Sequence, residues 1–200
     1  MPNPAKPLRP NRRRRRGTLL SSEELDRLGQ VLAHATPAQR PAANAVRLMV
    51  LTGCRSGEIL RLRWSEIQGD RLQLRQTKTG PRSVHLSDAA RALIDSLVRH
   101  PTSRFVFPSP RDPRKPRGNF DETWARFKNA AKLAPTLRLH DLRHTYASHA
   151  IMSGETLFMT GKLLGHRSTK STERYTHLDG AFLTEAANTV ADRVAELLGS

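Results

Sequence analysis

Apolar residues recur along this chain with two different periods, and the switch between them outlines its architecture. Ser21-Ser22-Glu23-Glu24 forms a capping box, and Leu25, Leu28 and Leu32 follow at helical spacing, which predicts a first helix. Val46, Met49 and Val50 make the apolar stripe of a second helix over about 41–51, stopped by Gly53. A third is expected after Gly53, carrying Glu58, Ile59, Leu60 and Leu62 up to Trp64. The period then shortens to two. Leu72 and Leu74 alternate with polar residues, Thr77-Lys78-Thr79-Gly80-Pro81 turns, and Val84 and Leu86 alternate again, predicting a β-hairpin with Lys78 near its tip. Ser87 caps a fourth helix with Ala90, Leu93, Ile94 and Leu97, and Phe105-Val106-Phe107 is a short strand candidate.

Past the Pro/Arg loop 108–118, helical spacing returns at about 119–133, with Phe120, Trp124 and Phe127 on one face, and again at about 139–152 and 156–164. A short helical turn around 171–175 precedes a last helix at about 181–198, whose apolar face runs from Leu183 to Leu197. The expected fold class is mostly α with a small antiparallel β-sheet (α+β).

Composition then narrows the class of partner. Across 200 residues, 34 Lys and Arg face 18 Asp and Glu, a formal charge of +16, which favours nucleic acid or another polyanion. Residues 1–17 hold seven of those cations (Lys6, Arg9 and the run Arg12, Arg13, Arg14, Arg15 and Arg16) and no acid. Proline-rich and basic, they read as a flexible arm that adds phosphate affinity. The body is basic on its own account, with 26 basic and 14 acidic residues over 18–177, whereas 178–200 carries a net −3. No apolar stretch reaches the roughly 18 residues of a membrane span, and no apolar segment follows the N-terminal cations as in a secretory signal. Cys54 is the single cysteine, which excludes disulfide scaffolds and zinc knuckles and suits a reducing compartment.

The candidate chemistry lies at Arg55, Lys78, His140, Arg143, His166 and Tyr175. Arg55 sits where a helix starts, in reach of an anion there. His140 and Arg143, at i and i+3, share one helix face, and Gly165 permits close backbone approach beside His166. Taken singly, each also reads as an ordinary surface or core residue. Gly161-Lys162 is no phosphate loop, because Thr156 and Leu163 occupy the positions that need Gly and Ser or Thr. His140 and His144 lack the third ligand of a zinc site. His144, His149 and His177 have no assigned role, and Tyr146 reads as packing.

Together, the segments LTGCRSGEILRLRW, TKTGPRSVHLS, LRLHDLRHTYASH and LLGHRSTKSTERYTHL resemble the tyrosine recombinases, the phage integrase family, in the family's order over about 18–180. The resemblance implies the tyrosine recombinase catalytic-domain fold and site-specific DNA recombination through a covalent 3′-phosphotyrosine. It implies Tyr175 as nucleophile, Arg55 and Arg143 as the clamp on the non-bridging oxygens, and Lys78 as the proton donor to the departing 5′-oxygen. His140 takes the position of the acid–base residue, His166 that of a hydrogen-bond donor to the phosphate, and Glu58 that of the acidic residue supporting the cations. No metal or other cofactor is implied. His85 departs from the family, which commonly has proline there.

Residues 18–200 are thus expected to be the catalytic domain, with the N-terminal core-binding domain of the family absent. The C-terminal helix would dock on a neighbouring protomer or on its own domain. Implied partners are duplex DNA, further copies in a tetrameric synapse, and an accessory DNA-bending protein or a partner supplying the core-binding domain. The expected setting is the cytoplasm of a bacterium, with the gene on its chromosome, a phage or another mobile element. Two other readings stay open: a DNA-binding module with this fold and little activity alone, and a type IB topoisomerase-like relaxing activity.

Overall fold

The chain is described here from a computed structural model, over residues 19–77, 80–165, 172, 175, 190–192 and 194–195. Its first helix, Ser22–Ala33 (α1), starts at the capping box: Ser21 Oγ accepts from the Glu24 N–H, and the Glu24 carboxylate accepts from the Ser21 N–H. Leu28 and Leu32 turn inward. The second helix, Arg40–Thr52 (α2), is the centre of the fold, because its alanines allow neighbours to approach closely. Ala42, Ala43, Ala45, Val46, Leu48 and Met49 are all buried, and α1 packs against it.

Gly53 ends α2 in the left-handed region at φ 61°. A Cβ there would lie 2.5 Å from Tyr146 Cδ1, so this position needs glycine for both conformation and space. The next helix, Ser56–Leu60 (α3), is shorter than the apolar pattern predicts. It ends at Leu60, and Trp64–Glu66 forms a separate 3-10 turn. The sheet has three strands rather than two: Ile67–Gln68 (β1), Arg71–Leu74 (β2) and Arg82–His85 (β3), antiparallel in that order. Leu72 pairs with both Ile67 and Val84, and Leu72 and Val84 are buried while His85 points to solvent.

Asp88–Asp95 (α4), capped by Ser87 Oγ, also packs on α2. Phe105-Val106-Phe107 is no strand. Phe105 makes a single bridge with Arg63, and the Val106 N–H donates to the Leu62 carbonyl, so the run serves the core as buried loop. Asp121–Ala130 (α5) buries Trp124 and Phe127, and Trp124 Nε1 donates to the Leu137 carbonyl. Leu139–Met152 (α6) has the bounds its spacing predicts and packs on α2. Leu157–Leu164 (α7), capped by Thr156, packs on α6 and reaches β3.

A main core spans α1 to the start of α6, and a second cluster joins Ala147, Ile151, Leu164 and Tyr175. The chain before α1 is tied to α6 by two bonds: Leu20 N–H to Thr145 Oγ1, and His149 Nε2 to the Leu20 carbonyl. The observed fold is mostly α with a small antiparallel sheet. No helix among the described residues is long and apolar enough to cross a membrane. Residues 190–192 and 194–195, within the expected last helix, are helical with Val190 and Val194 exposed. The rest of that helix, the arm with Arg12 to Arg16, Lys78, His166 and His177 lie outside the described residues.

Candidate active site

Three elements meet at Arg143. It sits one turn into α6 and is only 4% exposed. Its Nη1 donates to the Gly53 carbonyl at 2.7 Å, and its Nη2 to the Leu164 carbonyl at 2.8 Å. Two of the five guanidinium hydrogens are thereby fixed, and three remain for a ligand. Among the described residues no carboxylate forms an ion pair with it. Burial lowers its pKa to about 10, and the nearby Arg55 and Arg82 cations push the same way. It still carries its charge at neutral pH.

Arg55 lies at the start of α3, where its backbone N–H and Nη1 both donate to Glu58, at 2.8 and 2.9 Å. Glu58 is also gripped from β3. Arg82 Nη2 and Nε donate to its two oxygens at 2.7 and 3.2 Å, and both side chains are nearly buried. Burial alone would raise the Glu58 pKa, but the Arg82 and Arg55 bonds outweigh it and hold the group below the ordinary carboxylate value. Arg82 Nη2 also reaches Cys54 Sγ at 3.6 Å, and burial pushes that thiol's pKa up. Beside this pair lies Gly165, at φ 66°, where a Cβ would stand 2.6 Å from Arg82 Nη1. Only a residue without a side chain lets α7 end against this arginine.

Tyr175 is 5% exposed, in the cluster between α6 and α7. Its N–H donates to the Thr172 carbonyl, and Thr172 Oγ1 would stand 2.9 Å from a Cβ at Gly161. Close approach to α7 therefore sets the depth of this turn. The Tyr175 hydroxyl lies 2.5 Å from His144 Nδ1. The His144 ring in turn meets the His140 ring edge-on at 5.0 Å. His140 is exposed, yet partial desolvation and then the Arg143 charge hold its pKa below the ordinary 6.5.

The structure thus brings Arg55, Glu58, His140 and Arg143 into one electrostatic cluster, with Tyr175 joined to it through His144. Sequence reasoning left His144 without a role and passed over Arg82. His149, also without a role, ties Leu20 to α6. Tyr146 packs over Gly53, as expected. Among the described residues no group of three or more His, Cys, Asp and Glu stands close enough to hold a metal ion.

Comparison with known proteins places the chain in a family and a fold. The model of the phage integrase family matches residues 18–181. The tyrosine recombinase XerC of Erythrobacter litoralis is 31% identical over 191 residues, 90% of this chain and 61% of that protein. The catalytic domain of bacteriophage HP1 integrase superposes with a TM-score of 0.66 at 25% identity, covering 86% of this chain and 94% of that one. XerH recombinase in its post-cleavage complex with palindromic difH gives a TM-score of 0.68 at 23% identity, over 85% of this chain and 52% of that one. The chain spans between 38% and 61% of the length of three curated relatives it matches. A family match over most of the chain, on a catalytic-domain fold, has one consequence: this chain belongs to the phage integrase family.

Proposed function

We propose that this chain is the strand-transfer domain of a site-specific tyrosine recombinase, cleaving and rejoining duplex DNA through Tyr175. The observation that carries this reading is the buried Arg143, aimed by two backbone carbonyls, beside Arg55 and on the helix whose His144 meets the Tyr175 hydroxyl. Forked guanidinium donors suit the non-bridging oxygens of a phosphodiester, on which negative charge grows as the nucleophile adds. Tyr175 Oη forms a bond to phosphorus as the bond to the 5′-oxygen breaks. The phosphotyrosine keeps the bond energy for rejoining, so no external energy source is needed. Lys78 protonates the departing oxygen, and His140 and His166 complete the acid–base and hydrogen-bonding set. Glu58 holds Arg55 in place and is not a reactant. Acting on DNA sites as several copies, with a partner or a further domain gripping the duplex, the chain would work in the bacterial cytoplasm.

The test is covalent trapping. Wild-type and Tyr175→Phe proteins are mixed with a library of nicked, randomised duplexes and denatured in detergent, and the attached DNA is sequenced. Attachment by wild type alone is the expected result. Attachment by the phenylalanine variant, or binding by wild type without attachment, would overturn this reading.

The arm supplies a further prediction. Its seven cations should contribute to phosphate contact, so deleting residues 1–17 should flatten the dependence of log K on log salt, by at most about 6 in slope. Titrations by fluorescence anisotropy at several salt concentrations check this. An unchanged slope would mean that the arm stays off the DNA.

A further inference from the structure

Among the described residues, the His144 ring is set against the candidate nucleophile. Its Nδ1 lies 2.5 Å from the Tyr175 hydroxyl, with the ring centroids 6.0 Å apart and tilted by 52°. His140 stands one turn earlier on α6 and packs its ring against His144 at 85°. Of these two imidazoles on α6, the second is the one seen in hydrogen-bond contact with the reacting oxygen. That reach is the first requirement of a general base.

The chemistry requires such a group. A phenol with a pKa near 10 is almost wholly protonated at neutral pH, and a protonated oxygen is a poor nucleophile toward phosphorus. A neutral imidazole carrying its hydrogen on Nε2 presents the Nδ1 lone pair to the phenolic hydrogen. The helix fixes the position of the ring, and the edge of His140 restrains its rotation.

We propose that His144 Nδ1 is the proton acceptor for Tyr175, an inference that rests on Tyr175 being the nucleophile. As the bond between Tyr175 Oη and phosphorus forms, the phenolic proton passes to Nδ1 and the bond from phosphorus to the 5′-oxygen breaks. That oxygen takes its proton from a separate donor. On rejoining, the 5′-hydroxyl gives its proton back to that donor as its oxygen bonds to phosphorus. The bond from phosphorus to Tyr175 Oη breaks, and the His144 imidazolium returns its proton to the departing phenolate. One proton therefore shuttles between two atoms in both directions, and neither solvent nor a metal ion need carry it. In this scheme the His140 ring also positions the base, and its own acid–base part lies in steps other than taking up the phenolic proton.

The experiment is single-turnover covalent attachment to a duplex recovered by the trapping described above, with the full chain. His144→Asn keeps a polar partner for the phenol but cannot take up a proton. A merely positional histidine predicts that this variant keeps its rate, whereas a proton acceptor predicts a loss of about 100-fold or more with duplex binding retained. His144→Gln serves in the same way should the asparagine variant fail to bind duplex. Free imidazole should restore part of the rate of His144→Ala, which a lost packing contact would not allow. Cleavage by His144→Asn or His144→Gln within about threefold of wild type would overturn the assignment. Failure of wild type itself to attach would instead overturn the reading of Tyr175, and the two failures are told apart in one assay.

Discussion

Arg143→Lys should slow covalent attachment by about a thousandfold while leaving duplex binding close to wild type. The guanidinium performs two tasks at once. Two of its hydrogens hold the Gly53 and Leu164 carbonyls, which leaves three further donors on the guanidinium. A lysine ammonium is a single point with three donors on a flexible stem, so it cannot satisfy both carbonyls and present a fork to two phosphate oxygens. Its charge is also less secure. The burial and neighbouring cations that bring the Arg143 pKa down to about 10 would also push down the pKa of a lysine, which starts lower than an arginine. The variant should therefore lose further rate as pH rises above neutral, where wild type does not. Single-turnover cleavage measured from pH 6 to 9 tests both features. Near-normal rates would remove Arg143 from the clamp.

The second large effect is on stability. Glu58→Gln should destabilise the fold by about 3 kcal/mol at pH 7, because it leaves the buried Arg82 without its counter-charge. The sign of the pH dependence follows from the depressed Glu58 pKa. A carboxyl whose folded pKa lies below its unfolded one contributes stability that is fully present above the unfolded value. That contribution is lost as pH falls through the folded value. The gap between wild type and variant should thus hold from pH 7 to about 5 and narrow below about pH 4. Urea unfolding at pH 7, 5 and 3.5 measures it. A gap independent of pH would show that shape rather than charge is what Glu58 contributes.

What could be read from the sequence depended on how far apart the interacting residues lie. The Ser21–Glu24 cap and the bounds of α6 are local matters of spacing and capping, and they stand as expected. The strand β1 has two residues, too few to display a period. Phe105-Val106-Phe107 has a strand's composition, but only Arg63 bridges to it, and an apolar run without a partner strand stays loop. Arg82 occupies a polar position on an alternating strand and so reads as solvated. Its actual partner, Glu58, is 24 residues earlier. His144 is 31 residues from the hydroxyl it meets, and its one local signal, the i, i+4 spacing from His140, is that of a metal pair and is set aside for want of a third ligand. Arg55, Arg143 and Tyr175 are singled out because their motifs stand together in order, a pattern that carries long-range information which periodicity does not.

The two carbonyls that hold Arg143 have a further property in common. Gly53 caps the C-terminus of α2, and Leu164 is the last residue of α7. Both belong to helix ends, where aligned peptide dipoles leave partial negative charge. Among the described residues, the groups that bond the guanidinium are therefore these fixed helix ends rather than a carboxylate. An incoming phosphate need not displace a carboxylate from Arg143 or wait for a side chain to swing away. The cost of reorganising this part of the pocket was met during folding, and the residue stands ready at the moment of encounter.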